Sequence, residues 1–122
     1  MGPEAKLYKK LKTETTDIIW NRIENLSLLG MPDCLGYNSS SYFFTVELKV
    51  AKGDSVRFSP HQIAFHLSHP KNTYILINAL GQRCIKLFPG SMVRDLSADG
   101  HRSVWELADS WSEIQKIFNQ VA

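Results

Sequence analysis

The chain has 122 residues, of which 43% are hydrophobic and 21% are charged, and its formal net charge is +2. This length and composition predict a single globular domain over residues 1–122 and exclude collagen-like, coiled-coil and disordered classes. The longest apolar runs are only a few residues long, so we expect no membrane-spanning segment.

The N-terminus and the cysteines indicate an intracellular, cytoplasmic protein. No apolar segment follows the first charged residues, so we expect no secretion signal. Cys34 and Cys84 lie far apart in sequence and in apolar surroundings. We therefore expect two buried free thiols, as in a reducing compartment.

The first part of the chain predicts a helix followed by three strands. Pro3 and Glu4 suit a first helical turn, and the helix is expected to end near Glu14. A short apolar run predicts a strand over 18–25. Strands over 33–37 and 42–50 then form a hairpin around turn-forming residues 38–41.

The remaining segments alternate between helices and strands. Ser59 can cap a helix that begins at Pro60 and ends near His69. Ser110 and Glu113 form a capping box for a last helix that reaches Val121. Between them we expect strands over 73–80, 83–88 and 103–107 and a short helix over 92–96. The order predicts an α/β domain in which helices flank a mixed central β-sheet.

Three charged residues occupy the predicted hairpin. Glu47 and Lys49 are two residues apart and therefore point to the same face of their strand. If the hairpin is symmetric about Ser40, Asp33 lies opposite Glu47, with side-chain roots about 4.5–5.5 Å apart. Two carboxylates that close favour a divalent cation, and Mg²⁺ prefers such oxygen ligands.

Lys49 has two interpretations on this strand. Beside a metal site it is suited to polarise a water or to hold a phosphate oxygen. The alternative is a surface salt bridge between Lys49 and one of the acids. The apolar residues around it predict a largely buried strand, which favours the first interpretation because buried charges need partners.

Four short segments in this order resemble the PD-(D/E)xK nuclease superfamily. They are Trp-Asn-Arg-Ile-Glu-Asn over 20–25, Gly-Met-Pro-Asp over 30–33, Val-Glu-Leu-Lys over 46–49, and Gln62 on the next helix. The set is most similar to small phage-type VRR-NUC nucleases and Holliday junction resolvase-like endonucleases, over residues 4–77. The resemblance implies a restriction-endonuclease-like fold and metal-dependent hydrolysis of DNA. A viral source would place the protein in the host cytoplasm.

The resemblance assigns roles to the residues of the hairpin. Asp33 and Glu47 would bind Mg²⁺, with the backbone carbonyl of Leu48 as a further ligand and Mn²⁺ able to substitute. Lys49 would orient or activate the attacking water. The metal would stabilise the charge that develops on the scissile phosphate.

Further polar residues of the sequence also match parts of the family pattern. The family uses an upstream acid, for which Glu24 and Glu4 both qualify, and we favour Glu24. Gln62 would hydrogen-bond near the attacking water or the phosphate, and an exposed helical Gln is nearly as good an interpretation. His66 and His69 share a helical face with Gln62, where a polar surface is favoured over a zinc site.

The expected partner is DNA, contacted through basic residues: Lys6, Lys9, Lys10, Lys52 and Arg57. The small size favours an enzyme that reads DNA shape, so the main hypothesis is structure-selective cleavage of branched DNA. By analogy with junction-resolving enzymes, we expect a homodimer. The alternatives are a nicking or restriction-like nuclease on linear or single-stranded DNA, and a non-catalytic DNA-binding module of the same fold.

Overall fold

A computed structural model describes residues 1–23 and 29–122 of the chain. Its elements, in chain order, are α1 (Pro3–Glu14), β1 (Ile19–Arg22), β2 (Cys34–Tyr37), β3 (Phe43–Ala51), α2 (Pro60–Ser68), β4 (Thr73–Ala79), β5 (Cys84–Pro89), α3 (Val93–Asp99) and α4 (Trp111–Asn119). No helix in this part of the chain combines the length and apolar composition needed to cross a membrane.

In these residues the sheet has five strands, arranged in the order β1-β2-β3-β4-β5. The pairs β1–β2, β2–β3 and β4–β5 are antiparallel, whereas β3 and β4 are parallel. The helix α2 lies in the connection between the two parallel strands, as a crossover requires. The predicted α/β class, with helices around a mixed sheet, is therefore confirmed.

Side chains alternate along each strand, so each face of the sheet packs against a different hydrophobic core. Phe44, Val46 and Leu48 of β3 point to one face and pack in a core with residues of α1 and α4. The opposite face carries a smaller core that includes Ile75, Ile77 and residues of α3. Glu47 and Lys49 alternate with the first set and so point towards this second face.

Several expectations for the C-terminal third need correction. The strand predicted over 103–107 is wrong: these residues form no strand, and an isolated bridge between Leu87 and Ala108 follows them. Trp105 remains 89% exposed, because no further strand is there to cover it. The cysteines are free, as expected, but Cys84 is only half-buried.

Asn38 ties the tip of the β2–β3 hairpin to the end of α4. Its Oδ1 accepts hydrogen bonds from Ser40 N and Tyr42 N, both at 3.0 Å. Its Nδ2 donates to the carbonyl oxygens of Phe118 and Val121, both at 2.9 Å. Asn38 is buried, so water cannot replace these bonds. One side chain therefore closes the turn and anchors it to the last helix.

We expect Asn38→Ala to lower the free energy of unfolding by about 3 kcal/mol, because it leaves buried backbone groups without partners. Urea denaturation with and without the substitution measures the change. Ser40→Ala is the matched control, since Ser40 is an exposed residue of the same turn. Equal urea midpoints for Asn38→Ala and Ser40→Ala would contradict the stabilising role of the Asn38 hydrogen bonds.

Candidate active site

The hairpin brings Asp33 and Glu47 together. The register pairs Cys34 with Val46 and Leu35 with Thr45, which is the symmetry about Ser40 expected from the sequence. Asp33 directly precedes β2, so the same register places it opposite Glu47. Its position is also fixed by the backbone, because Asp33 Oδ2 accepts a hydrogen bond from Leu48 N at 2.7 Å.

The Leu48 carbonyl belongs to the same corner of the sheet. In a strand, the N–H and C=O of one residue point to the same side. Since Leu48 N–H points to Asp33, its carbonyl oxygen also faces the β2 side. Two carboxyl groups and one carbonyl thus converge there, and Mg²⁺ commonly completes such a set with waters.

Glu47 is an acid in an apolar place, only 2% exposed. Burial raises the pKa of Glu47 far above its ordinary value, and both the hydrogen bond with Asp33 and the charge of Asp33 raise it further. Within residues 1–23 and 29–122, its Oε1 has no hydrogen-bond partner. An ionised Glu47 needs a positive partner here, which fits a bound cation.

Lys49 and Gln62 form the other side of the site. Lys49 Nζ donates a hydrogen bond to Gln62 Oε1 at 3.1 Å and lies 4.9 Å from the centre of the Phe58 ring. Gln62 Nε2 lies 3.4 Å from Glu47 Oε2. In the described part of the chain, no ion pair joins Lys49 to an acid. The salt-bridge alternative therefore has no support there.

Gln62 takes its orientation from the start of α2. Ser59 Oγ accepts a hydrogen bond from Gln62 N, and Gln62 Oε1 accepts one from Ser59 N at 3.0 Å, so the two residues form a capping box. Because Gln62 Oε1 also accepts from Lys49, its NH₂ group must face Glu47. Gln62 is half-buried and belongs to the site, in contrast to the exposed alternative.

Glu4, in the first turn of α1, is close enough to the site for the charges of Asp33 and Lys49 to act on its carboxyl group. It is exposed overall, yet partial burial still raises the pKa of its carboxyl group, and the charge of Asp33 adds to the rise. The charges of Lys49 and Arg22 act in the opposite direction. Glu24, the upstream acid favoured by the sequence, lies outside the described residues.

His66 is the residue whose place the sequence did not indicate. The expectation of a polar helix face is wrong for it, because the imidazole is completely buried. His66 Nε2 lies 4.0 Å from Glu47 Oε1. Burial, together with the smaller effects of the charges of His69 and Lys49, lowers the pKa of His66 to about 4. The available signal was its spacing, one helical turn after Gln62.

The zinc alternative has no cluster to support it. His69 is exposed and stacks on Phe65, with ring centroids 4.1 Å apart. Among the residues that the structure describes, no three His, Cys, Asp or Glu side chains converge as ready-made metal ligands. The donors that do meet are oxygens of Asp33, Glu47 and Leu48, which suit a hard cation that keeps several waters.

The five basic residues expected at DNA do not lie together. Lys6 and Lys10 line a cleft of about 620 Å³ that also includes Arg83, and Lys10 pairs with Glu14 at 3.0 Å. Lys52 instead lines a groove of about 470 Å³ together with Glu4. Lys9 is exposed on α1, and Arg57 is exposed before α2. Lys52 therefore shares a groove with a residue near the carboxylates.

Comparison with known proteins shows the fold. No protein-family model and no curated protein matches the sequence. Among solved structures, the chain is similar to Hjc, a Holliday junction resolvase from the archaeal hyperthermophile Archaeoglobus fulgidus. The TM-score is 0.57 at 15% sequence identity, and the match covers 75% of each chain. The two proteins therefore share a fold over most of their lengths.

Glu47→Gln should stabilise the metal-free protein at high pH. The folded-state pKa of Glu47 is raised, so ionisation costs more in the folded than in the unfolded chain, and stability falls as pH rises above 4.5. We expect the variant to be more stable than the parent by about 1–3 kcal/mol at pH 8, with the difference shrinking towards pH 4. Urea denaturation in EDTA measures this.

Excess Mg²⁺ should stabilise the parent and leave Glu47→Gln unchanged, because only the parent offers the full ligand set. Glu106→Gln is the control for loss of a carboxylate outside the site. A pH dependence that is identical in the parent and Glu47→Gln would contradict the raised pKa.

Proposed function

We propose that this chain is a Mg²⁺-dependent endodeoxyribonuclease that hydrolyses DNA phosphodiester bonds, with Mn²⁺ able to substitute. One observation carries the proposal: Asp33 and the buried Glu47 share a corner of the sheet with Lys49 on the same face. The fold shared with a Holliday junction resolvase supports it independently.

Each residue of the corner has a distinct task. Asp33, Glu47 and the Leu48 carbonyl would hold the ion, which supplies Lewis-acid stabilisation of the phosphate and a more acidic bound water. Lys49, kept in place by Gln62, orients the attacking water or stabilises the negative charge of the phosphate. Gln62 also positions Glu47 through its NH₂ group.

We propose Glu24 as the third carboxylate, on the grounds of sequence. Glu4 is the competitor, because the charge of Asp33 raises the pKa of its carboxyl group and the charge of Lys49 lowers it. Parallel Glu4→Gln and Glu24→Gln variants decide between them, because only the residue that serves the site should be needed for cleavage.

Branched DNA is the proposed substrate. The support is the fold, since Hjc is a Holliday junction resolvase. Each chain carries one Asp33–Glu47–Lys49 set, and resolving a junction requires two strand cuts, so we propose a homodimer. The alternatives are nicking or restriction-like cleavage of linear or single-stranded DNA, and DNA binding without catalysis. The complete set of charged residues argues against the last.

Cleavage assays on a four-way junction, a flap, linear duplex and single-stranded DNA test the proposal. With Mg²⁺, we expect paired symmetric cuts in the junction and none in EDTA. Lys49→Met should reduce the rate by about 10²–10⁴-fold, because the group that orients the water is lost. Lys116→Met is the control, since α4 covers the other face of the sheet.

The outcomes separate the competing functions. Cutting of linear or single-stranded DNA would keep the nuclease and replace the substrate. Junction binding without cutting under any divalent metal would leave only the binding module. Light scattering of the free protein reports the dimer separately from the chemistry.

Lys52→Ala and Arg57→Ala should each weaken DNA binding and reduce the slope of log affinity against log salt by about one, because each removes one phosphate contact. Fluorescence anisotropy in EDTA measures binding without cleavage. Lys116→Ala provides the background slope. Slopes equal to that of Lys116→Ala would show that neither residue contacts phosphate.

A further inference from the structure

His66 is buried without an evident structural reason. Its side chain is inaccessible to solvent, and neither ring nitrogen has a hydrogen-bond partner among residues 1–23 and 29–122. Burying polar atoms without hydrogen-bond partners is unfavourable, because they lose their bonds to water. An apolar side chain would fill the same space more favourably, so packing alone does not explain this residue.

The imidazole faces the one carboxylate oxygen that also lacks a partner. His66 Nε2 lies 4.0 Å from Glu47 Oε1, and Glu47 Oε1 is unpaired within the described part of the chain. The other Glu47 oxygen lies near Gln62 Nε2. The separation of 4.0 Å exceeds a hydrogen bond, so the two atoms face each other without bonding.

Gly90 and Thr73 lie against the His66 ring and limit its movement on their side. A Cβ atom at Gly90 would lie 2.6 Å from His66 Nδ1 and would also collide with Thr73 Oγ1. The imidazole therefore packs directly on the Gly90 backbone. Thr73 Oγ1 is held by its own hydrogen bond to the His69 carbonyl at 2.7 Å. These residues therefore limit movement of the ring away from Glu47 on the Gly90 side.

We propose that His66 is a positioning residue that donates its Nε2–H to Glu47 Oε1 when Glu47 holds a divalent cation. The bond would use Glu47 Oε1, so Oε2, which Gln62 Nε2 approaches at 3.4 Å, would be the oxygen that faces the ion. This inference rests on the proposed function, because it assumes that Glu47 is a metal ligand. Hydrogen bonds of this kind to ligating carboxylates typically contribute 10–100-fold to metal affinity.

Mn²⁺ binding to the DNA-free protein tests the proposal, measured by calorimetry and by the paramagnetic resonance signal of the bound ion. We expect His66→Phe and His66→Leu to weaken Mn²⁺ binding about 10–100-fold, since neither can donate the bond. His66→Gln should bind within a few-fold of the parent, because its amide can donate from nearly the same place. His61→Gln, at an exposed position of the same helix, is the control.

The thermal stability of each variant in EDTA separates folding from metal binding. Folded His66→Phe or His66→Leu with parental Mn²⁺ affinity would overturn the positioning role, as would a His66→Gln variant as weak as the apolar ones. If Glu47→Gln binds Mn²⁺ as tightly as the parent, the metal site itself is wrong, and the proposed function fails with it. Two apolar variants of different shape keep the test usable if one does not fold.

Discussion

The buried carboxyl group of Glu47 is the constraint around which this domain is arranged. A charge in the middle of a sheet is tolerated only with partners, since unpaired ionised groups are strongly disfavoured in an apolar interior. Asp33, Gln62 and His66 approach that group from the hairpin and from α2. Within residues 1–23 and 29–122, Lys49 is the positive charge that acts on Glu47, and Gln62 already binds it. In the described part of the chain, Glu47 Oε1 has no hydrogen-bond partner, which supports the proposed metal-dependent chemistry.

Gln62 makes the start of a helix and the site a single structural unit. Its carbonyl oxygen accepts bonds from Ser59 N and Lys49 Nζ, so the position of the ammonium group depends on where α2 begins. Loss of the cap would therefore disturb Lys49 without touching it. Helix capping is ordinarily considered for its effect on stability. Here the same geometry determines the orientation of a proposed functional group.

Local rules predicted the hairpin and the capped helix well. The strand period of two and the position of the turn were enough to place Asp33 opposite Glu47, and Ser59 marked the start of α2. Burial of His66 could not be predicted, because it depends on how β4 and the segment at Gly90 pack against α2. The approach of Glu4 to the site likewise requires α1 to lie across β3. The strand wrongly predicted over 103–107 has a similar cause. A strand forms only where another strand is available to pair with it, and the local sequence does not show whether one is.

The bonds from Asn38 to the carbonyls of Phe118 and Val121 join positions 80 and 83 residues apart. A contact of such long range forms late, because the intervening chain must first be ordered. During synthesis, the turn of the hairpin that carries Asp33 and Glu47 cannot be anchored to α4 until α4 has emerged from the ribosome. Until then, Asn38 can make only the bonds within its own turn. Any activity of this protein should accordingly require α4 to be docked on the hairpin.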